Sequence, residues 1–211
     1  MVQLLGLHSH EETLVSGLIA QFAADDFVMG ELNRVEKCVL PGYNGMVVPV
    51  HCGRSDRFHM TMQLASVNPF TVAHELAHVS DISTRRKETL DHLSLEMPTG
   101  WHLAHRMSSE YYANRVACAY ADESDVFLAF QNDCAGMRGG ARQGDWASTL
   151  IHYALLLGIM HGMDRQDCDP AALLGQAELP DQVRAGFASF RHQAPTFFDG
   201  YGDGECLAQA A

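Results

Sequence analysis

Basic residues are scarce in this sequence. Its 14 Lys and Arg are outnumbered by 26 Asp and Glu, which gives a formal net charge of −12 at pH 7. A surface that binds nucleic acid non-specifically needs clustered Lys and Arg. We interpret the two local clusters, residues 85–87 and the pair Arg138 and Arg142, as solvated surface. We therefore expect no direct nucleic-acid binding, and only an activating nucleic-acid fragment stays open as an exception.

We also expect neither an export signal nor a membrane span. Residues 1–8 have no basic start, whereas a signal peptide begins with positive charge, and Glu11 and Glu12 follow soon after. The longest apolar run, residues 153–160, is too short to cross a bilayer and is bracketed by His152 and His161. We expect a soluble, cytoplasmic protein without a membrane partner.

Paired cysteines are missing as well. The six cysteines occur singly, at positions 38, 52, 118, 134, 168 and 206, and there is no Cys-x-x-Cys pair. Such pairs are typical of structural zinc sites. We expect reduced thiols and no structural zinc knuckle.

Apolar residues, by contrast, are plentiful enough to form one core. They make up 47% of the 211 residues, a share typical of a globular domain. We predict a single α+β domain over residues 1–195, with its core at 40–165, and a flexible tail at 196–211. The predicted strands are 46–50 and 57–64, the predicted helices are 11–24, 69–83, 100–121, 125–134, 146–160, 167–180 and 181–191, and the glycine-rich stretch 136–144 is predicted as a loop.

The most informative motif is His74-Glu75-Leu76-Ala77-His78. Residues four apart on a helix lie about 40° apart around the axis and about 6 Å apart along it. Both histidines can therefore face one metal ion, and Glu75 can reach water bound to that ion. Asn68 or Thr71 can cap the start of this helix, and Pro69 suits an early helical position. The motif predicts a catalytic metal site.

Two histidines need a third protein ligand to hold a catalytic zinc ion. Glu110 is our leading candidate, because Ala113 and Ala117 on the same predicted helix would let it pack closely against the first helix. The rival candidates are His92, His102 and His105. Asp81 is better placed to accept a hydrogen bond from an imidazole than to bind the metal itself.

These residues resemble the gluzincin peptidases of the ImmA/IrrE type. Residues 70–78 match the pattern Phe-Thr-x-Ala-His-Glu-x-x-His, and Glu110, Ala113 and Asn114 match the later Glu-x-x-Ala-Asn. The resemblance covers roughly residues 40–121. It implies a zincin-like fold with a small sheet, an active-site helix and further C-terminal helices. It also implies zinc bound by His74, His78 and Glu110, with Glu75 as general base.

The resemblance extends to the biological setting. Such peptidases are typically bacterial or phage-borne and often cut a partner repressor to switch on stress, mobile-element or defence genes. A DNA-binding repressor is therefore the expected protein substrate, and limited proteolysis rather than digestion is the expected activity.

The expected chemistry also requires a group that stabilises the oxyanion. Zinc polarises the scissile carbonyl and acidifies its bound water, and Glu75 passes the proton to the leaving amine. A second donor to the oxyanion is then needed. Tyr111 and Tyr112 are candidates, with His92 or a histidine at 102 or 105 as alternatives. Both tyrosines could equally lie at the edge of the core.

Cys52 suggests a switch. The segment 50–56 resembles the inhibitory segments with which some metalloproteases block their own zinc through a thiolate. In this hypothesis Cys52, or less plausibly Cys118 or Cys134, occupies the fourth ligand position of a latent form. The simpler interpretation is a small buried thiol.

The combined prediction is a Zn²⁺-dependent peptidase that cleaves a regulatory protein. Two other classes stay open: a catalytically silent zincin-fold sensor or binding module, and a zinc hydrolase of a non-peptide amide. The complete His-Glu-His set argues against the silent form, because a degenerated site usually loses Glu75 first.

Overall fold

Helices and an open four-stranded sheet make up the described part of the chain. The computed structural model describes residues 2–51, 58–85, 99–175 and 179–199. Its strands are β1 (Gln3–Leu5), β2 (Leu32–Lys37), β3 (Gly45–His51) and β4 (Phe58–Leu64). Its helices are α1 (Ser9–Ala24), α2 (Pro69–Thr84), α3 (Thr99–Ala117), α4 (Glu123–Gln143), α5 (Trp146–Gly162) and α6 (Asp181–Asp199), with a short 3₁₀ helix at Pro170–Leu174. The predicted α+β class is confirmed.

The sheet places one antiparallel strand at its edge. The strand order is β1-β2-β4-β3, in which β1, β2 and β4 run parallel and β3 runs antiparallel to β4. Gly45, the first residue of β3, pairs with Leu64, the last residue of β4. The chain then turns directly into α2, so the start of β3 and the motif helix lie side by side.

A first hydrophobic cluster joins the sheet to α1 and α2. The alternation of β4 sends Met60, Met62 and Leu64 into this cluster, where all three are fully buried. Val15 and Phe22 cover it from α1. Burial of such side chains is the main force that holds α2 against the sheet.

A second hydrophobic cluster lies among the C-terminal helices. Tyr111 of α3, Met137 of α4 and Tyr153 of α5 are fully buried there, and Phe187 of α6 stacks on Tyr153 with ring centroids 4.2 Å apart. Gly158 of α5 touches the backbone of α3, because a Cβ atom at this position would lie 2.5 Å from the carbonyl oxygen of Tyr111. The two helices therefore pack at backbone contact.

The predicted loop at 136–144 was wrong, because residues 136–143 continue α4. The helix begins after Asp122, whose side chain accepts a hydrogen bond from Asp125 N, and ends at Gly144 in the left-handed conformation with φ +70°. Gly140 lies against α5, and a Cβ atom there would be 2.8 Å from Oγ1 of Thr149. Close packing between helices thus accounts for glycines of α4 that, in the sequence, are typical of a loop.

Most other predicted elements are found, with shifted ends. The strands at 46–50 and 57–64 correspond to β3 and β4, and the motif helix corresponds to α2. Strands β1 and β2 were missed, since only Leu32 and Val35 of β2 are buried and its other residues are mostly polar. The tail was predicted from residue 196, but α6 continues to Asp199, and 200–211 lie outside the described residues. Among the described helices, none is both long and apolar enough to cross a membrane.

Candidate metal centre

The start of α2 sets the direction of its two histidines. Asn68 caps the helix by accepting a hydrogen bond from Thr71 N at 2.8 Å, and Pro69 occupies the first turn. One further turn along, His74 and His78 lie on the same face, and their Nε2 atoms are 3.0 Å apart. Each side chain keeps 15% of its surface exposed. The motif therefore forms one half-buried imidazole pair that solvent can reach.

Glu110 of α3 completes a three-residue group. Its Oε2 atom lies 3.3 Å from Nε2 of His74 and 3.4 Å from Nε2 of His78. Ala113 and Ala117 are fully buried, which lets α3 approach α2. The candidate ligand atoms of all three residues lie within 4.8 Å of one another, so this group could hold a metal ion.

The hydrogen bond from His74 to Asn114 fixes the tautomer of that imidazole. Nδ1 of His74 lies 2.7 Å from Oδ1 of Asn114. The amide of Asn114 must be oriented this way, because its Nδ2 donates to Oδ2 of Asp133 at 3.2 Å and to the carbonyl oxygen of Leu155 at 3.1 Å. Nδ1 therefore carries the proton, and Nε2 presents a lone pair to the centre.

A second series of hydrogen bonds fixes the tautomer of His78. Its Nδ1 lies 3.0 Å from Oγ of Ser109, whose hydroxyl donates to Oδ2 of Asp81 at 2.5 Å. Since the hydroxyl proton of Ser109 is used on Asp81, its oxygen accepts from His78. Asp81 is in turn paired with both Nε and Nη2 of Arg85. The acceptor role that we predicted for Asp81 is therefore exerted through Ser109.

Charge around these residues favours bound cations. Burial raises the pKa of Glu110, but the protonated forms of His74 and His78, through hydrogen bonds from Nε2–H and their positive charge, outweigh that effect and hold this pKa well below its ordinary value. Burial likewise raises the pKa of Asp81, and the contacts with Arg85 and Ser109 outweigh it. When both rings are neutral and carry their proton on Nδ1, the centre brings two nitrogen lone pairs and a carboxylate together, an arrangement that repels itself until a cation joins it. The residues fit a divalent metal ion.

The two oxygens of Glu110 have different neighbours. Oε2 faces the imidazoles, whereas Oε1 lies 3.6 Å from Nε of Arg106, one turn earlier on α3. The Arg106 side chain is 49% exposed. Arg106 therefore leaves Oε2 free for the centre while it pairs with the outer oxygen.

Glu75 lies beside the group in a buried position. Only 4% of the residue is exposed. Burial raises its pKa to about 7, His74 lowers it and Glu110 raises it further. The start of β3 presses against this side chain, since a Cβ atom on Gly45 would be 2.5 Å from Oε1 of Glu75. A group with this pKa can both accept and release a proton near neutral pH.

The rival ligands are not part of this group. His102 and His105 lie on α3, about two turns and about one turn before Glu110 respectively, and the described metal-binding group consists of His74, His78 and Glu110. His92 and Cys52 lie outside the described residues. The hypothesis of a cysteine switch at Cys52 thus stays a prediction. Cys118 and Cys134 have a pKa raised by burial, which disfavours the thiolate that metal binding requires.

The two tyrosines proposed as oxyanion donors lie in the core. Tyr111 is fully buried, and its hydroxyl lies 2.8 Å from Nδ1 of His161 and accepts a hydrogen bond from Arg115 at 3.0 Å. Tyr112 is 7% exposed, and burial, together with the charge of Asp81, raises its pKa. The hydroxyl of Tyr111 is therefore directed to His161 and Arg115, and the role of Tyr112 as an oxyanion donor stays a prediction.

Several residues of the centre were missed from the sequence. The prediction from the sequence includes Asn114 in the motif without a role and omits Ser109, Asp133, Arg106 and Gly45. The spacing of Ser109 and Asn114 around Glu110 could have identified them, because they lie on the same helix. Asp133 and Gly45 come from other elements and have no local signal.

Comparison with known proteins adds no relative. No family model matches the chain, and no curated protein or solved structure matches it. The resemblance to ImmA/IrrE-type peptidases therefore stays a prediction drawn from the motif residues.

Proposed function

We propose that this protein is a zinc-dependent peptidase that performs limited proteolysis of a regulatory partner protein. The observation that carries the proposal is the group of His74, His78 and Glu110 with the buried carboxyl of Glu75 beside it. Two imidazoles, one carboxylate and an adjacent glutamate are the side chains of the His₂Glu class of zinc hydrolases.

The donor set favours Zn²⁺ among divalent ions. Imidazole nitrogen suits zinc, whereas Mg²⁺ and Ca²⁺ prefer oxygen ligands throughout. Three protein ligands are the usual number at a catalytic zinc, which leaves one position for water or substrate. A bound Zn²⁺ would polarise the scissile carbonyl and make water more acidic.

Glu75 supplies the proton transfer in this proposal. Its carboxylate accepts a proton from the attacking water and delivers it to the leaving amine. Burial raises the pKa of Glu75 to about 7 in the metal-free chain, and a cation bound beside it would lower this pKa and favour the carboxylate that accepts the proton. The contact with Gly45 restricts where the carboxyl can lie, so the base is held in place before substrate arrives.

We infer that an extended peptide binds at the edge strand beside this group. Strand β3 is at the end of the strand order, antiparallel to β4, and begins against Glu75. A peptide that adds to this edge would run past the base with its main chain held by strand-type hydrogen bonds. This supports a peptide substrate over a non-peptide amide.

The choice of partner rests on the resemblance. ImmA/IrrE-type peptidases act on repressors, so we propose a DNA-binding repressor as the substrate and the cytoplasm as the setting. The large excess of acidic residues disfavours direct binding of this protein to DNA. It also disfavours electrostatic attraction to a repressor that is bound to DNA.

Co-expression tests this function. The purified chain should contain zinc, and co-expression with a helix-turn-helix repressor encoded by a neighbouring gene should yield two repressor fragments. Glu75→Gln should keep the zinc and lose cleavage, and Glu12→Gln, an exposed control, should cleave normally. Zinc without cleavage of any partner would favour the sensor, and cleavage by Glu75→Gln would refute the assigned mechanism.

A further inference from the structure

A line of hydrogen bonds leads from His74 away from the centre through three helices. His74 Nδ1 donates to Oδ1 of Asn114 on α3 at 2.7 Å, and Asn114 Nδ2 donates to Oδ2 of Asp133 on α4 at 3.2 Å. Nδ1 of His152 on α5 donates to the other oxygen, Oδ1 of Asp133, at 3.2 Å. The motif helix is thus connected to helices far along the sequence.

Asn114 is the buried middle of this line, and Asp133 and His152 are partly buried. Asn114 is 2% exposed, and the side chains of Asp133 and His152 are 15% and 28% exposed. Burial raises the pKa of Asp133, and the hydrogen bond from His152 opposes that effect. Hydrogen bonds in such surroundings are stronger than in water, and leaving one partner out is costly.

Gly136 makes room for the last member. A Cβ atom on Gly136 would lie 2.3 Å from Cε1 and 2.4 Å from Nε2 of His152. Gly136 lies one turn after Asp133 on α4, so the helix offers both the carboxylate and the space for the ring. No other residue type would leave the ring where it is.

We propose that Asp133 and His152 are positioning residues of the metal centre, which act on His74 through Asn114. His152 holds the carboxylate of Asp133, and Asp133 holds the amide of Asn114 in one orientation. Asn114 in turn keeps the proton of His74 on Nδ1 and the lone pair on Nε2. The inference rests on the metal site of the proposed function.

The orientation of the amide is the step that matters. Turned by 180°, Asn114 would present Nδ2 to His74, so Nδ1 would have to accept and the proton would move to Nε2. That proton would occupy the direction in which a metal binds. The carboxylate of Asp133 and the carbonyl oxygen of Leu155 both need a donor from Asn114, and together they exclude the turned form.

Two glycine substitutions on α4 provide a matched test. Gly136→Ala would push the ring of His152 away from Asp133, whereas Gly139→Ala places its methyl in open space on the same helix. We expect Gly136→Ala to weaken Zn²⁺ binding about tenfold, measured by competition with a chromophoric chelator, and Gly139→Ala to leave it unchanged. Circular dichroism and a thermal melt of both proteins check that α4 is intact.

Substitution of Asp133 provides the second test. Asp133→Leu removes the acceptor and should weaken Zn²⁺ binding about tenfold or more, while Asp133→Asn keeps an acceptor oxygen for Asn114 and should restore most of the affinity. In metal-free protein, long-range ¹H–¹⁵N spectra should show His74 protonated at Nδ1 in wild type and a tautomer mixture in Asp133→Leu. A purely structural ion pair would lower stability without this change of tautomer.

The outcomes separate this inference from the proposed function. Equal Zn²⁺ affinity for Gly136→Ala and Gly139→Ala, or an unchanged His74 tautomer in Asp133→Leu, would overturn the positioning role and leave the peptidase proposal intact. Metal binding with the expected differences but without any cleavage would support the positioning role and count against the peptidase. A wild type that binds no Zn²⁺ would overturn both.

Discussion

Gly45 and Glu75 are in direct contact across the boundary between sheet and helix. A Cβ atom on Gly45 would lie 2.5 Å from Oε1, 2.6 Å from Cγ and 2.8 Å from Cδ of Glu75. Real side chains do not approach this closely, so the first residue of β3 has to be glycine for Glu75 to keep its position. The edge strand therefore helps to define where the general base lies.

Gly45→Ala should lower peptide cleavage by about a hundredfold, because a displacement of the base by about 1 Å is enough for such a loss. The zinc content should be unchanged, since the three atoms nearest to the new methyl all belong to Glu75 and none to a candidate ligand. The measurement is kcat on a cleaved partner or peptide. Gly30→Ala, whose methyl meets open space, is the control. Equal kcat for the two variants would contradict the assigned contact.

The pKa of Glu75 predicts how the metal-free protein responds to pH. Since burial raises this pKa from 4.5 to about 7, the folded chain holds a proton between these pH values that the unfolded chain has released. The free energy of unfolding should therefore fall as pH rises from about 4.5 to 7, by up to about 3 kcal/mol.

Glu75→Gln removes this contribution and tests it. The variant should gain stability relative to wild type between pH 5 and pH 7.5, measured by urea unfolding with a chelator present. Glu12→Gln, at an exposed position, should follow wild type at both values. A stability difference between Glu75→Gln and wild type that is the same at both pH values would disprove the raised pKa.

Metal binding should stabilise the fold through His78. A ligand that binds only the folded state at a hundred times its Kd adds about 2.7 kcal/mol, which raises the melting temperature of a chain of this size by roughly 5 to 10 °C. Zn²⁺ should produce this shift in wild type and in the exposed control His10→Ala. The shift should vanish in His78→Ala, and its persistence there would exclude His78 as a ligand.

The contact between α3 and α5 predicts a large effect at Gly158. Gly158→Ala would place a methyl 2.5 Å from the carbonyl oxygen of Tyr111, so the helices must separate. We expect a loss of about 2 kcal/mol in the free energy of unfolding, because backbone cannot move aside as a side chain can. Gly17→Ala on α1 meets open space and should be neutral or slightly stabilising.

Local spacing was sufficient to predict the centre of the site. His74 and His78 are one helical turn apart, so any helix through them brings their rings together, and the cap at Asn68 marks where that helix begins. The helix with Glu110 was predicted from its own pattern, and the alanines on one face indicated close packing. These are features within single elements, which is why the sequence carries them.

The contacts between elements could not be predicted in the same way. The glycines of α4 suggested a loop, because helix propensity takes no account of the ring of His152 or of Thr149 on the next helix. Strand β2 has only two buried residues, so its alternation is too weak to detect. The helix that carries Tyr111 and Tyr112 is predicted from the sequence. The direction of each side chain is not, because it depends on packing against the C-terminal helices for Tyr111 and against the cluster of the sheet for Tyr112.

The neighbouring tyrosines of α3 help to preorganise the metal-binding group. Tyr111 packs into the cluster of the C-terminal helices, and Tyr112 packs into the cluster of the sheet. Because anchors on both sides keep α3 from turning about its axis, the Cα–Cβ bond of Glu110 stays directed towards the imidazoles. An arriving ion thus meets a preorganised site and loses little affinity to ordering the protein around it.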